Sequence, residues 1–164
     1  MADLSQALVA AYLRQREETS GRPLGLSWEE TLRSLGCLVE QHGRWTPTHA
    51  GVMLFAEDPQ HFIPQAELAC VRFKGVDVVS YIDRRDLRGP LYQLVDDAEQ
   101  FIYRHMKIGR RIEGFVGVEY REYPREAVRE AIVNAVVHRD YGRRGQCIRV
   151  FMFDDRIEVF SPGS

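Results

Sequence analysis

Cysteine is scarce, with only Cys37, Cys70 and Cys147 in 164 residues. Their spacing excludes a C-x-x-C zinc pair and their odd number excludes a complete disulfide framework, so they read as reduced thiols of a cytoplasmic protein. No apolar run approaches the roughly 18 residues of a membrane-spanning helix, and the opening M-A-D-L-S-Q-A-L-V-A has no basic stretch ahead of its apolar positions. Membrane insertion and secretion are therefore not expected. The absence of a G-x-x-x-x-G-K-S/T loop excludes a P-loop motor. Net charge is small as well, formally −2, but unevenly distributed. Arg104 to Arg149 holds eleven Lys and Arg against six Asp and Glu, whereas the remainder holds eleven against eighteen. The basic segment could attract phosphates, although a solvated face balanced by acidic neighbours is the plainer account.

Apolar residues make up 45% of the chain, enough for a core, and their periodicity changes along it. Leu4, Leu8, Ala11 and Tyr12 give a helical pattern over Leu4 to Glu17, stopped by the polar stretch Thr19 to Gly25. Ser27 and Glu30 form a capping-box pattern that opens a second helix, which Gly36 ends. Cys37 to Thr46, turning at His42-Gly43, reads as a short hairpin before a helix from Thr48 to Ala56. Residues 1–56 thus outline a small helical, winged-helix-like subdomain. Its Arg33 and Arg44 could touch DNA, but two isolated arginines more often belong to an ordinary surface.

Residues 57–164 read as a second region. A strand follows Ala66, bounded by Pro64 and Gly75, and Gly89-Pro90 opens a helix whose Leu91, Leu94, Val95, Ala98, Phe101, Ile102 and His105 recur at three and four. Ile112 to Tyr123 reads as a strand and Pro124 starts a helix. Cys147 to Phe153 and Ile157 to Phe160 form two strands turned by Asp154-Asp155. This order predicts an α+β fold, a two-layer sandwich with helices on one sheet face. His49, His61 and His105 match no metal-ligand spacing. Trp28, Trp45, Phe55, Phe62 and Phe73 read as core or junction aromatics.

The helix after Pro124 carries the pattern richest in chemistry. Glu126, Glu130, Asn134 and His138 recur at steps of four and drift only about 40° per step, so they share one face. A carboxylate and a carboxamide one turn apart can reach a single cation or a single water. Ala127, Val128, Ala131, Ile132, Ala135 and Val136 fill the neighbouring faces, which predicts a largely buried helix bearing a polar stripe. Buried Glu, Asn and His need partners, either a ligand or other side chains.

The segment P-R-E-A-V-R-E-A-I-V-N-A-V-V-H-R-D-Y, the pair of strands ending D-D-R-I-E-V-F-S-P-G, and the earlier T-H-A-G-V-M-L-F and V-R-F-K-G together resemble a family of bacterial transcriptional regulators. That family joins a Schlafen-like domain to an ATPase domain named for its likeness to the RecG helicase C-terminal region. The likeness spans roughly Leu32 to Gly163 and is most specific in E-x-x-x-N-A-x-x-H-R-D-Y. The ATPase-like region is in turn similar to the GHKL superfamily, the Bergerat-fold ATPases. The resemblance implies that Glu130 orients or activates an attacking water and that Asn134 holds Mg²⁺ against the phosphates of ATP. It implies that His138 and Arg139 approach phosphates, with the Ser161 to Gly163 segment at the adenine. It further implies DNA contact through other parts of a full-length regulator. Arg143 and Arg144, in the turn Gly142 to Gly145, are the candidates for contact with phosphate or nucleic acid within this chain.

The sequence departs from that pattern in two places. An Asp-x-Gly-x-Gly segment is usual where this chain has Phe160-Ser161-Pro162-Gly163, and no glycine-rich lid is present. The stop at S-P-G-S, directly after a strand, reads as the edge of a fragment that holds half a pocket and does not turn over ATP. Two functional expectations follow: a nucleotide-responsive region using Mg²⁺ and ATP in the full-length protein, or a decayed pocket that serves interaction or self-association. Direct DNA binding by residues 1–56 and the basic turn is a third.

Overall fold

The computed structural model describes residues 4–23, 25–113 and 116–163. Contacts divide the chain into two units, one made of residues 1–66 with 88–92, the other of 67–87 with 93–164. The division falls ten residues beyond the boundary at residue 56 suggested by sequence patterning.

In the first unit, α1 (Gln6–Ser20) ends where Gly21 takes a left-handed φ of 64° and its N–H bonds the Glu17 carbonyl. Helix α2 (Trp28–Ser34) begins with the full capping box, Glu30 N–H on Ser27 Oγ at 3.2 Å and Ser27 N–H on Glu30 Oε2 at 2.8 Å. Strands β1 (Leu38–Gln41) and β2 (Arg44–Pro47) pair antiparallel. Their turn residues His42 and Gly43 have φ of 51° and 73°, the left-handed pair that a two-residue hairpin with matching twist requires. Helix α3 (His49–Phe55) is capped by Thr48, whose Oγ1 accepts from Gly51 N–H. Gly51 lies so close to β1 that a Cβ there would sit 2.2 Å from the Cys37 carbonyl oxygen. Val9, Leu32, Cys37, Leu38 and Phe55 form the core. The short helix α4 (Pro59–Phe62) had no counterpart in the sequence pattern. Its buried Gln60 side chain bonds both the N–H and the C=O of Gly89, at 2.9 and 3.0 Å.

The second unit is an α+β two-layer arrangement, as expected. Strands β3 (Leu68–Phe73) and β4 (Tyr81–Leu87) are followed by α5 (Leu91–His105), the hairpin β5 (Ile108–Glu113) and β6 (Val116–Arg121), α6 (Arg125–Val137), β7 (Ile148–Met152) and β8 (Ile157–Phe160). The main sheet has the order β4-β3-β7-β8, with β3 parallel to β7 and both outer pairs antiparallel. All six β3 residues are buried. Leu68, Cys70, Ile148, Val150 and Met152 alternate onto one sheet face and are buried, as are Leu94, Ala98, Ile102, Val128 and Ile132 of the two helices. Strand β4 escaped sequence reading because Y-I-D-R-R-D-L lacks apolar alternation. It lies at a sheet edge, where charged side chains discourage further pairing. The single strand expected at Ile112 to Tyr123 is instead parts of β5 and β6, which form a sheet of their own; residues 114 and 115 of that stretch lie outside the described residues. Among the described residues no helix is long and apolar enough to cross a membrane.

Candidate functional site

Helix α6 is held by one side of its polar surface. Arg125 Nε meets Glu99 Oε1 at 2.8 Å, and Arg129 Nη1 meets Glu99 Oε2 at 2.5 Å and Asp96 Oδ1 at 2.9 Å. Glu99 is only 3% exposed. Burial opposes its charge, but hydrogen bonds from Arg125, Arg129 and Tyr103 outweigh burial and hold its carboxyl below the usual range. The Arg121 and Arg125 guanidiniums also lie over the Tyr103 ring, at 5.2 and 5.7 Å. Sequence reading missed this clamp. Its signal was Arg125 and Arg129 one turn apart, with a glutamate set in the apolar side of the preceding helix.

The stripe expected to be buried is exposed: Glu126, Glu130, Asn134 and His138 all face solvent, as do Ala127 and Ala131. Only Val128, Ile132, Ala135 and Val136 of α6 are buried. The stripe therefore avoids the desolvation cost that made it conspicuous. Glu130 and Asn134 do meet, Asn134 Nδ2 donating to Glu130 Oε1 at 3.0 Å. This contact leaves the amide oxygen and the second carboxylate oxygen turned to solvent, two hard oxygen donors one helical turn apart.

The C-terminal end of α6 gathers residues far apart in sequence. Asn134 O accepts from His138 N–H at 3.0 Å, Ala135 O from Ser161 Oγ at 2.6 Å, and Val136 O from Tyr141 Oη at 2.9 Å, so three carbonyls of the last turn have a donor. Asp140 N–H bonds Pro162 O at 3.0 Å, and Gly163 comes close enough that a Cβ there would lie 3.5 Å from His138 O. The structure thus brings Ser161, Gly163 and His138 to the end of the helix that bears Glu130 and Asn134. Burial pushes the Tyr141 phenol up to about 12.

Arg139 turns inward and is 4% exposed. Its guanidinium donates to the carbonyls of Asp140 at 3.0 Å, Arg143 at 3.4 Å and Gln146, and lies 4.9 Å from the Tyr141 ring centre. It shapes the 140–146 loop and is not presented to a phosphate. Burial depresses its pKa, and among the described residues its Nε has no hydrogen-bond partner. Arg143 and Arg144 are exposed on that loop, Arg143 lying 3.8 Å from Asp140. In the first unit Arg33 stacks on Trp45 at 4.4 Å and pairs with Glu29 at 3.7 Å, which leaves Arg44 as the more accessible of the two arginines noted there.

Beside the stripe an apolar groove of about 180 Å³ is lined by Ile102, Tyr123, Ala127, Val128, Ala131, Ile157 and Val159. Ligand pockets that enclose a whole drug-sized molecule usually exceed about 300 Å³, so this slot suits a flat ring or a few side-chain atoms. Burial, then Glu122 and Asp155, raise the Tyr123 pKa, keeping its phenol neutral. Among the described residues no group of three or more His, Cys, Asp or Glu is placed to hold a metal ion.

No protein-family model matches the chain, and no curated protein matches it. Among solved structures it is similar to the crystal structure of the DIP2311 protein from Corynebacterium diphtheriae, with 28% identity and a TM-score of 0.73. The match covers 99% of this chain and 31% of that one, so the chain spans about a third of that protein's length.

Proposed function

We propose that the second unit is a nucleotide-responsive element that binds Mg·ATP on the exposed face of α6, within a DNA-linked bacterial transcriptional regulator of the RecG-like ATPase kind. The observation that carries this reading is the Glu130–Asn134 contact at 3.0 Å on a solvent-facing stripe. The donor set fits the group: Mg²⁺ prefers hard oxygens and commonly takes one or two protein ligands, leaving its other positions to water and phosphate oxygens. Asn134 Oδ1 would hold it, and when bound it would neutralise phosphate charge. Glu130 keeps one carboxylate oxygen free to accept a proton from a water and orient it.

Ser161 supports the same reading. Its hydroxyl proton is given to Ala135 O, so its oxygen presents lone pairs, the polarity that the amino group of adenine requires. The groove along Ala127 and Ala131 offers an apolar wall for a base. His138 and the Gly163 backbone stand at the same end of the helix. In this reading the chain binds and senses nucleotide without turning it over, and DNA is contacted elsewhere in the polypeptide. Isothermal titration of ATP into the protein should show binding that requires Mg²⁺ and disappears in Asn134→Ala. No heat at millimolar nucleotide would overturn the proposal.

A further inference from the structure

The loop after α6 encloses a cation without giving it a counter-charge. From Arg139 to Arg149 the chain has four arginines and a single acid, Asp140. Arg139, nearly fully buried, donates only to backbone carbonyls, those of Asp140, Arg143 and Gln146. The Asp140 carboxylate is turned elsewhere, accepting from Gly142 N–H at 2.9 Å and lying 3.8 Å from Arg143 Nε. Burying a guanidinium is costly unless an opposite charge compensates it. Carbonyl dipoles supply part of that compensation, and a full negative charge is still wanting.

The same bonds turn the loop's donors outward. In a trans peptide C=O and N–H point opposite ways, so the Arg143 carbonyl that faces Arg139 sends the Arg144 N–H away from it. Among the described residues the N–H groups of Arg144, Gly145 and Gln146 have no acceptor. Gly145 has a left-handed φ of 77°, and a change of backbone hand lines successive N–H groups along one concavity that suits an anion. Arg143 and Arg144 are exposed on this loop, and Arg144 has no ion-pair partner among the described residues.

We infer that residues 143–146 form a metal-independent site for a phosphate group, free or carried on a nucleic-acid strand. The Arg143 and Arg144 guanidiniums take its oxygens in the planar, forked manner that arginine allows, and the backbone N–H groups complete the cradle. Arg139 never touches the anion; it is a fixed charge beneath it. Asp140 and the negative pole at the end of α6 oppose binding, although Ser161 and Tyr141 already donate to the carbonyls of Ala135 and Val136. The dissociation constant for inorganic phosphate should therefore be on the order of 1 mM. The site uses neither Glu130 nor Asn134 and stands whether or not Mg·ATP binds there.

Nuclear magnetic resonance of the ¹⁵N-labelled protein in EDTA, titrated with sodium phosphate against sodium chloride at equal ionic strength, tests it. The Gly145 and Gln146 amide signals should shift and saturate with phosphate and not with chloride. Arg143→Gln with Arg144→Gln should weaken binding at least about tenfold. Arg22→Gln with Arg44→Gln, which removes the same charge from exposed positions in the first unit, should leave it unchanged. Thermal melting checks that the variants fold, and if the loop double variant does not, Arg144→Gln alone must weaken binding. Anisotropy of a labelled short DNA duplex distinguishes the sources. Duplex binding that phosphate competes away and the loop variant loses assigns the site to a nucleic-acid backbone; a phosphate response without duplex binding assigns it to a free phosphate group. No saturating phosphate shift, an equal shift with chloride, a shift that survives loss of Arg143 and Arg144, or equal weakening by both double variants would each overturn the inference.

Discussion

Replacing Asn134 with alanine should separate stability from binding, with opposite signs. In the unliganded protein the substitution removes one exposed hydrogen bond, Asn134 Nδ2 to Glu130 Oε1 at 3.0 Å, an i, i+4 pair that contributes about 0.2–0.5 kcal/mol. It also puts the best helix former in place of a poor one near the end of α6, a gain of about 0.5–0.7 kcal/mol. No buried surface is lost, because Asn134 is exposed. The two terms leave the variant as stable as the parent, or more stable by a few tenths of a kcal/mol. A ligand that binds only the folded state adds about 2.7 kcal/mol at 100 times its dissociation constant. At 2–4 °C per kcal/mol for a chain of this size, the parent's Tm should rise by roughly 5–10 °C.

Thermal unfolding followed by circular dichroism, with and without saturating Mg·ATP, reads both quantities. The parent should show the shift and the variant should not, while their unliganded melting temperatures nearly coincide. A variant that keeps the full shift would show that Asn134 is no ligand. One destabilised by more than about 1 kcal/mol without nucleotide would contradict an exposed, lightly bonded Asn134.

Three other substitutions probe the frame around the site and the first unit. Gly51→Ala forces a Cβ to 2.2 Å from the Cys37 carbonyl oxygen, which also accepts from Thr48 N–H at 3.0 Å and is not free to move. After crediting about 1 kcal/mol of helix propensity, the net loss should be about 1–3 kcal/mol in urea unfolding, and an unchanged midpoint would refute that contact. Arg139→Lys leaves a point charge where a planar fork now serves three carbonyls, and should cost about 2–3 kcal/mol by chemical denaturation; a neutral result would mean that the 140–146 loop supports itself. Glu99 has a lowered folded-state pKa, so its contribution is complete above the unfolded value near about 4.3 and is lost as pH falls through the folded value. Melting temperature should fall more steeply below about pH 4.5 in the parent than in Glu99→Gln, and parallel curves would exclude Glu99 as an acid-sensitive clamp.

The sequence made most elements legible because local chemistry decided them. Ser27 with Glu30, Thr48, His42-Gly43 and Pro124 mark boundaries through their own backbone or cap geometry, and the structure keeps each of them. Strand β4 was not legible because an edge strand bordered by Asp83, Arg84, Arg85 and Asp86 derives its order from pairing with β3, not from apolar alternation. The stripe on α6 was legible as a period, but its surroundings were not. Periodicity fixes which residues share a face and says nothing of whether that face meets a neighbour. Here the neighbouring helix takes Arg125 and Arg129, and the face with Glu130 and Asn134 remains open.

The run from Glu130 to Tyr141 therefore divides between two tasks that a motif cannot distinguish. Glu130 and Asn134 leave oxygens in solvent, whereas Tyr141 and, from the following hairpin, Ser161 supply donors to the carbonyls of Val136 and Ala135. That division explains the serine. The end of a helix carries partial negative charge, and a carboxylate set 2.6 Å from the Ala135 oxygen would be repelled, whereas a hydroxyl bonds it. The hydroxyl then retains the acceptor character an aspartate would have offered, at neutral charge. Position 161 thus secures the hairpin to α6 and keeps an acceptor at the proposed base, so Ser161→Ala should weaken both, whereas Asn134→Ala should weaken binding alone.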